Sequence, residues 1–283
     1  MNRYPVSDDA PRGRRQPPRR TTTAMVGGWL PAIARTLALA LSCGALPGSA
    51  QPGTDARAAL TALPWRMAWA WERPEDLRWL PPDAGVAYVA VSLWLEDGET
   101  RVGPRRQPLR VRPDTPLVPV VHVDASASRP PRLLPAQRQA LVDALVSAAA
   151  VAPRRVVQLD FEARASQRAF LADVVREARR LLPPDVALSI TALGSWCAGD
   201  AWLDPLPADE VVPMAFRMAH DSAPLRALLA RRGHFPRPEC ARAIGSATDE
   251  PLAGLSAARH YVFSPRAWTA AAWQRHAATL NPP

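Results

Sequence analysis

Eight short apolar runs, separated by helical or turn-like segments, predict an α/β chain folded as a (β/α)8, TIM-like barrel. Three observations carry that expectation. Most runs are continuous and apolar, as parallel strands covered on both faces are. Several intervening segments have helical spacing. The stretch 51–283 is close to the roughly 250 residues typical of the fold. An open α/β sheet is the alternative, but no glycine-rich GxGxxG phosphate loop is present.

The runs, in order, are "WRMAWAW" from Trp65, "VAYVAVSLW" from Val86, "LVPVVHVD" from Leu117, "VVQLDFE" from Val156, "VALSITAL" from Val186, "VVPMAFRM" from Val211, "ARAIGS" from Ala241 and "HYVFS" from His260. In "LLPAQRQALVDALVSAAA", Pro135 falls in a first turn and Leu141, Leu145 and Ala148 share a face. "SQRAFLADVVREARRLL" places Ser166 as N-cap, then Phe170, Val174, Ala178 and Leu181 on one side. "SAPLRALLARRG" starts at Ser222 and stops at Gly233, and "RAWTAAAWQRHAATL" closes the chain as a helix. The second connection, "EDGETRVGPRRQPLRVRPDTP", has no helical period. Its Asp97-Gly98 pair and alternating pattern predict a β-hairpin instead. Connections one, five and seven have room for only a turn or two of helix, so the barrel is lean.

Formal net charge is +9, and every basic residue is Arg. The first 50 residues hold seven Arg against two Asp, which leaves +4 for the rest. No basic stripe interleaved with aromatics occurs there, so nucleic acid is not an expected partner. "TLALALSCGALPGSA" from Thr36 is an apolar stretch behind Arg35, closed by small residues. It reads as a signal segment cleaved after Ala50 and is too short for a membrane span. The basic leader before Met25 is long, so translation starting at Met25 is an alternative. A lipid anchor at Cys43 is the other, on the lipobox-like "ALSC". Either route leads to the periplasm or outside the cell. Residues 51–283 are then a single barrel domain.

Besides Cys43 the chain has only Cys197 and Cys240. In an exported domain such a pair is expected as a disulfide. No CxxC or His-rich spacing suggests a metal, and no cofactor is expected.

Active sites in this fold lie at the C-terminal strand ends. Reading the tips in order gives Trp71-Glu72, Trp94, His122-Val123-Asp124, Asp160-Phe161-Glu162, Thr191 with Ser195-Trp196-Cys197, Phe216-Arg217, Thr248-Asp249-Glu250 and Ser264-Pro265-Arg266. Gln158, Asp160 and Glu162 alternate on one strand, so they share a face. Acid pairs at a rim suit glycoside hydrolysis, where one carboxylic acid protonates the leaving oxygen and a second group supplies the nucleophile or activates water. Asp160 would raise the proton affinity of Glu162 by like-charge repulsion. That points to Glu162 as general acid with Asp160, one step deeper, as its orienting partner. Asp160 as a purely structural acceptor in a polar layer is the other reading. Candidates for a second carboxylate are Asp124, Asp249, Glu250 and Glu72.

Trp71, Trp94 and Trp196 stand at tips, where flat rings suit sugar faces. Trp65, Trp69, Trp202, Trp268 and Trp273 read as packing residues. Arg217 either pairs with a rim acid or contacts an anionic sugar. Asp249-Glu250 either cap a short following helix or supply a carboxylate, and Glu72 has Arg73 and Arg78 as ion-pair candidates. His122 reads as a packed histidine. Ser195 with His220 or His122 lacks the GxSxG context of a serine hydrolase.

The blocks "VVQLDFEA", "LSITALGSWC", "DEVVPMAFRM", "GSATDEP" and "YVFS" together resemble domain of unknown function 3142, an uncharacterised family of exported bacterial proteins. The resemblance runs from Trp65 to Trp268 and brings no established activity. A weaker resemblance is to glycoside hydrolase family 18 and its barrel relatives, whose fourth strand carries DxxDxDxE ending in the catalytic acid. "QLDFE" keeps the last Asp as Asp160 and the Glu as Glu162, with Gln158 in place of the preceding Asp. Their sixth strand carries Met-x-Tyr-Asp; "MAFR" keeps Met214 but has Phe216 and Arg217. The resemblance implies the fold and the site position, while the missing Tyr and Asp argue against a substrate-assisted N-acetyl mechanism. The expected function is thus an exported glycosidase-like hydrolase acting on a polysaccharide, with a non-catalytic carbohydrate-binding or envelope-assembly barrel as the alternative.

Overall fold

The computed structural model describes residues 54–199, 201–204, 206–218 and 222–281. The expected leader over 1–50, Cys43 and His220 lie outside them. In chain order the strands are β1 (Arg66–Ala70), β2 (Glu75–Asp76), β3 (Ala84–Glu96), β4 (Glu99–Pro104), β5 (Leu109–Arg110), β6 (Leu117–Ala125), β7 (Val156–Phe161), β8 (Ala187–Leu193), β9 (Glu210–Met214), β10 (Ala243–Ala247) and β11 (Arg259–Phe263). The helices are α1 (Thr54–Thr61), α2 (Pro135–Ala150), α3 (Arg168–Leu181), α4 (Ser222–Arg232) and α5 (Ala270–Ala277).

Eight strands, β1, β3 and β6 through β11, pair in parallel, and β1 bonds both β3 and β11, so the sheet closes. All eight expected runs are barrel strands. The second connection is the expected hairpin: β4 returns antiparallel along β3 through Asp97-Gly98, with Asp97 in the left-handed region at φ 46°. β2 and β5 pair with each other. With α5 they cover the wall where flanking helices are absent, burying Leu77, Leu80, Trp268 and Trp273 against Ala68 and Val262.

Alternation sorts each strand into an inner and an outer face. On β7, Val157, Leu159 and Phe161 pack outward under α2 and α3, while Val156, Gln158 and Asp160 face the lumen. A bulge in β3 between Val89 and Val91 resets its alternation. Val91, Leu93 and Leu95 then join the outer core, and Ser92 and Trp94 turn to the lumen side.

Helix α2 buries Leu141, Leu145 and Ala148, as its spacing predicts. Gln137, also buried, donates from Nε2 to the carbonyls of Asp97 and Glu99 and so ties α2 to the hairpin turn. Helix α3 buries Phe170, Val174 and Ala178, but two expectations change there. Leu181 is exposed, and Leu182 is buried in its place. Ser166 is no N-cap, because a 3-10 turn over Ala165–Gln167 precedes the helix and makes Gln167 the capping position. Helix α4 ends at Gly233, whose φ of 75° suits a residue without a Cβ.

Helix α1 was not expected from the sequence. Ala56 and Leu60, with Leu63 beyond it, pack against the lower lumen with Met67, Val118 and Val212. The Leu60 carbonyl accepts from Arg259 Nη2. Under this floor lies a cavity of about 840 Å³.

Cys197 and Cys240 form the expected disulfide, with Cα atoms 5.9 Å apart. Both sit in short 3-10 turns that lean against β9, which is how a loop after β8 meets a loop before β10. The bond closes a 43-residue separation. Loop-closure entropy for that length corresponds to about 4 kcal/mol. A Cys197→Ser, Cys240→Ser double variant is expected to lose about 2–4 kcal/mol in urea unfolding. A midpoint unchanged by this variant, or by reductant, would reject that contribution.

No helix among the described residues is long and apolar enough to cross a membrane.

Candidate active site

The polar row of β7 divides between two environments. Gln158, on the same face of β7 as Asp160, belongs to a deeper network. Its Nε2 donates to Ser189 Oγ at 2.9 Å, and Ser189 Oγ donates to Glu210 Oε2 at 2.8 Å. The Tyr261 hydroxyl donates to the same oxygen at 2.8 Å, and Arg259 pairs with Oε1. Glu210 and Arg259 are both buried. This network stitches β7, β8, β9 and β11 together across the floor. Its cation and anion answer each other, so it reads as structural.

One step up, Asp160 is 3% exposed. Its Oδ1 accepts from Thr191 Oγ1 at 2.6 Å, and its Oδ2 meets His122 Nδ1 at 2.7 Å. A carboxylate only accepts, so the His122 proton sits on Nδ1. His122 Nε2 has no hydrogen-bond partner among the described residues and is not sealed from solvent. Burial alone would lower the His122 pKa. The Asp160 hydrogen bond and the charges of Asp160, Asp124 and Glu162 reverse that, and the net direction is upward.

Glu162 is the next residue of the row, exposed at the rim. It makes no hydrogen bond or ion pair with any described residue. Partial desolvation of its carboxyl, followed by the charge of Asp160, raises its pKa, with His122 acting in the opposite sense. The effect of Asp160 on Glu162 is therefore one of charge. Asp160 does not orient Glu162 by a hydrogen bond, because both of its oxygens are committed to Thr191 and His122.

Trp71, half-buried, stands edge-on to the His122 ring at 5.6 Å and 88°. Behind it, Trp69 stacks on Phe263 at 4.4 Å, and Phe216 packs on Phe263 at 4.8 Å. Trp94 lies over Gly103, where an added Cβ would sit 2.9 Å from the ring. The Arg101 guanidinium is 3.8 Å from its centroid. A cavity of about 390 Å³ opens beside Trp94, lined also by Glu72, Ser92 and Arg106.

Other nominated residues fall elsewhere. Trp196, expected at the rim, is 2% exposed in the outer core and packs edge-on to Trp202 at 4.8 Å. The reason is the 3-10 turn after β8, which folds it back under the disulfide. Trp69, Trp268 and Trp273 are buried as packing residues. Arg217 pairs with both Asp249 and Glu250, and Arg226 adds a second contact to Glu250. Both acids are thereby held below the usual carboxylate range, chiefly by hydrogen bonds to Arg217 in the case of Asp249. They cap no helix, since β10 leads into a turn. Glu72 pairs with neither Arg73 nor Arg78, which are taken by Glu75 and Asp76. It accepts instead from the backbone of Arg106 and Gln107 and lies 3.5 Å from Arg105. Asp124, exposed at the β6 tip, is the one nominated second carboxylate with no such partner among the described residues.

Sequence reading passed over His122 as a packed residue. The pairing register supplies the missing signal, because His122 and Asp160 are direct neighbours on β6 and β7 and both face inward. No group of His, Cys, Asp and Glu among the described residues could hold a metal ion.

Fold and site together define the class: a TIM-barrel-like α/β protein with acidic, histidine and tryptophan side chains gathered at the C-terminal strand ends. Comparison of the chain with protein-family models and with curated proteins finds no match.

Proposed function

We propose that this barrel is an exported glycosidase-like hydrolase acting on a polysaccharide, with Glu162 as proton donor at the mouth. The observation that carries this reading is Glu162 itself: a rim carboxyl with no hydrogen bond or ion pair among the described residues, its proton affinity raised by partial desolvation of the carboxyl and by the charge of Asp160 one step below. A carboxylic acid of raised proton affinity is what protonation of a glycosidic oxygen needs. Trp71 offers an aromatic edge beside His122, and Trp94 offers a ring in a cavity that Glu72 and Ser92 also line. Arg217, Asp249 and Glu250 form a rim clamp that frames the mouth on the β9 and β10 side. The resemblance to family 18-like barrels supports the same position for the acid. The disulfide supports an oxidising compartment, as export through the leader or a lipid anchor at Cys43 would require.

The test is a screen of the full chain against a panel of polysaccharides, with Glu162→Gln beside the wild type. Glu162→Gln is expected to lose about 100-fold or more in kcat on any polysaccharide the wild type cleaves, with binding retained. Unchanged activity in that variant would remove Glu162 from the acid role. Binding without turnover by the wild type would favour the non-catalytic carbohydrate-binding reading.

A further inference from the structure

Hydrolysis needs, besides Glu162, a second group that supplies a nucleophile or activates water, and the carboxylates first nominated for it are a poor supply. Asp249 and Glu250 are held by Arg217, and Glu72 is held by Arg105 and two backbone amides. Asp160 is buried with both oxygens occupied. Asp124 has no hydrogen bond or ion pair among the described residues but is exposed at the strand tip.

We propose that His122 is that group: a general base whose Nε2 takes a proton from the attacking water, held in place by Asp160 and Thr191. The proposal rests on the glycosidase-like reading above and names a catalytic residue that reading did not include. The geometry is a chain of contacts from β8 through β7 to β6. Thr191 Oγ1 fixes one oxygen of Asp160 at 2.6 Å, which leaves the other to hold His122 Nδ1 at 2.7 Å. The tautomer this imposes puts the lone pair on Nε2, the nitrogen open to solvent. Trp71 packs edge-on against the ring and limits its rotation. A buried carboxylate also stabilises the imidazolium once it forms, because its charge is worth more out of water.

The step balances without any further reactant. Glu162 gives its proton to the glycosidic oxygen as the carbon–oxygen bond breaks. Water oxygen bonds the anomeric carbon and its proton passes to His122 Nε2. The imidazolium then loses that proton to solvent, and the Glu162 carboxylate regains one. The upward shift of the His122 pKa, through the Asp160 hydrogen bond and the nearby carboxylate charges against burial, is in keeping with a stronger base.

The first test needs no substrate. Imidazole nitrogen NMR of the full chain is expected to show the His122 proton on Nδ1. Asp160→Asn is expected to lower the His122 pKa and to scramble the tautomer. A His122 protonated on Nε2 in the wild type, or one whose titration ignores Asp160→Asn, overturns the proposal. The second test uses whichever polysaccharide the wild type cleaves. His122→Ala is expected to lose about 100-fold or more in kcat with KM little changed, and added imidazole is expected to restore part of it. Glu162→Gln should not respond to imidazole. Thr191→Val, acting only through Asp160, should give a smaller loss and a shifted His122 titration. An inactive Glu162→Gln beside a fully active His122→Ala would overturn the His122 role alone. An active Glu162→Gln beside an inactive, imidazole-rescued His122→Ala would overturn the Glu162 role alone.

Discussion

Glu210→Ala is expected to lose about 3–5 kcal/mol of stability, because it leaves the Arg259 guanidinium buried without its counter-charge. Arginine cannot escape by losing its proton. The usual remedy of a depressed pKa is closed to it, and its pKa is in fact raised here despite burial, by Glu210 above all. The loss extends beyond one pair. Glu210 is the common acceptor for Ser189 and Tyr261, so both hydroxyls lose a partner, and through Ser189 the Gln158 amide loses its place in the network. Arg259 also holds the end of α1 through the Leu60 carbonyl, so the floor of the barrel should loosen with it. For a domain of this size the melting temperature should fall by about 10 °C. Glu210→Gln, which keeps one acceptor oxygen, puts an amide donor in place of the other and removes the charge, should fall between wild type and Glu210→Ala. Urea unfolding followed by circular dichroism measures all three. A Glu210→Ala variant within about 1 kcal/mol of wild type would mean that water from the cavity beneath solvates Arg259.

The barrel was legible because its evidence is local. A run such as "VVQLDFE" keeps its outward face apolar throughout and is broken only by polar residues on the lumen side, and that pattern survives without knowing the neighbours. The hairpin was legible for the same reason, since Asp97-Gly98 between alternating residues is a turn by its own chemistry. What escaped was everything that depends on height in the lumen. Gln158, Asp160 and Glu162 read as one row, yet Gln158 belongs to a floor network with Glu210, and Asp160 belongs with His122. Only the stagger between strands decides which residues share a layer. Trp196 escaped for a related reason: it follows a strand end, and the 3-10 turn that folds it inward leaves no period of its own. Helix α1 has three alanines and a single leucine in eight residues, and its burial comes from the floor it covers rather than from any stripe of its own.

Acid should unfold this protein early, and two histidines far from the mouth are the reason. His260 on β11 and His276 on the buried face of α5 lie at the outer side of the barrel wall, and both have pKa values lowered to about 4 by burial, with His276 adding a repulsive charge at His260. His276 Nε2 meets Ser246 Oγ at 2.8 Å. Both ring nitrogens of His260 are buried with no hydrogen-bond partner among the described residues, and the ring packs edge-on to Trp65 at 5.8 Å. A base whose folded pKa is depressed binds fewer protons folded than unfolded between about pH 4 and its ordinary value near 6.5. Stability therefore rises with pH across that window, is complete above it, and is lost as pH falls through it. At pH 5 the loss is about 2 kcal/mol per histidine relative to neutral pH. Because the two groups repel when both are charged, their joint protonation should push α5 off the wall, taking Trp273 and Trp268 from their contact with β1 and β11. His260→Leu removes one of the two sites and the unpaired nitrogens with it. Thermal melts between pH 7 and pH 5 should show a drop in the wild type that is about halved in His260→Leu, with tryptophan fluorescence reporting the release of α5. Parallel pH curves for the two proteins would assign acid sensitivity to the carboxylate pairs instead, since those titrate the same way in both.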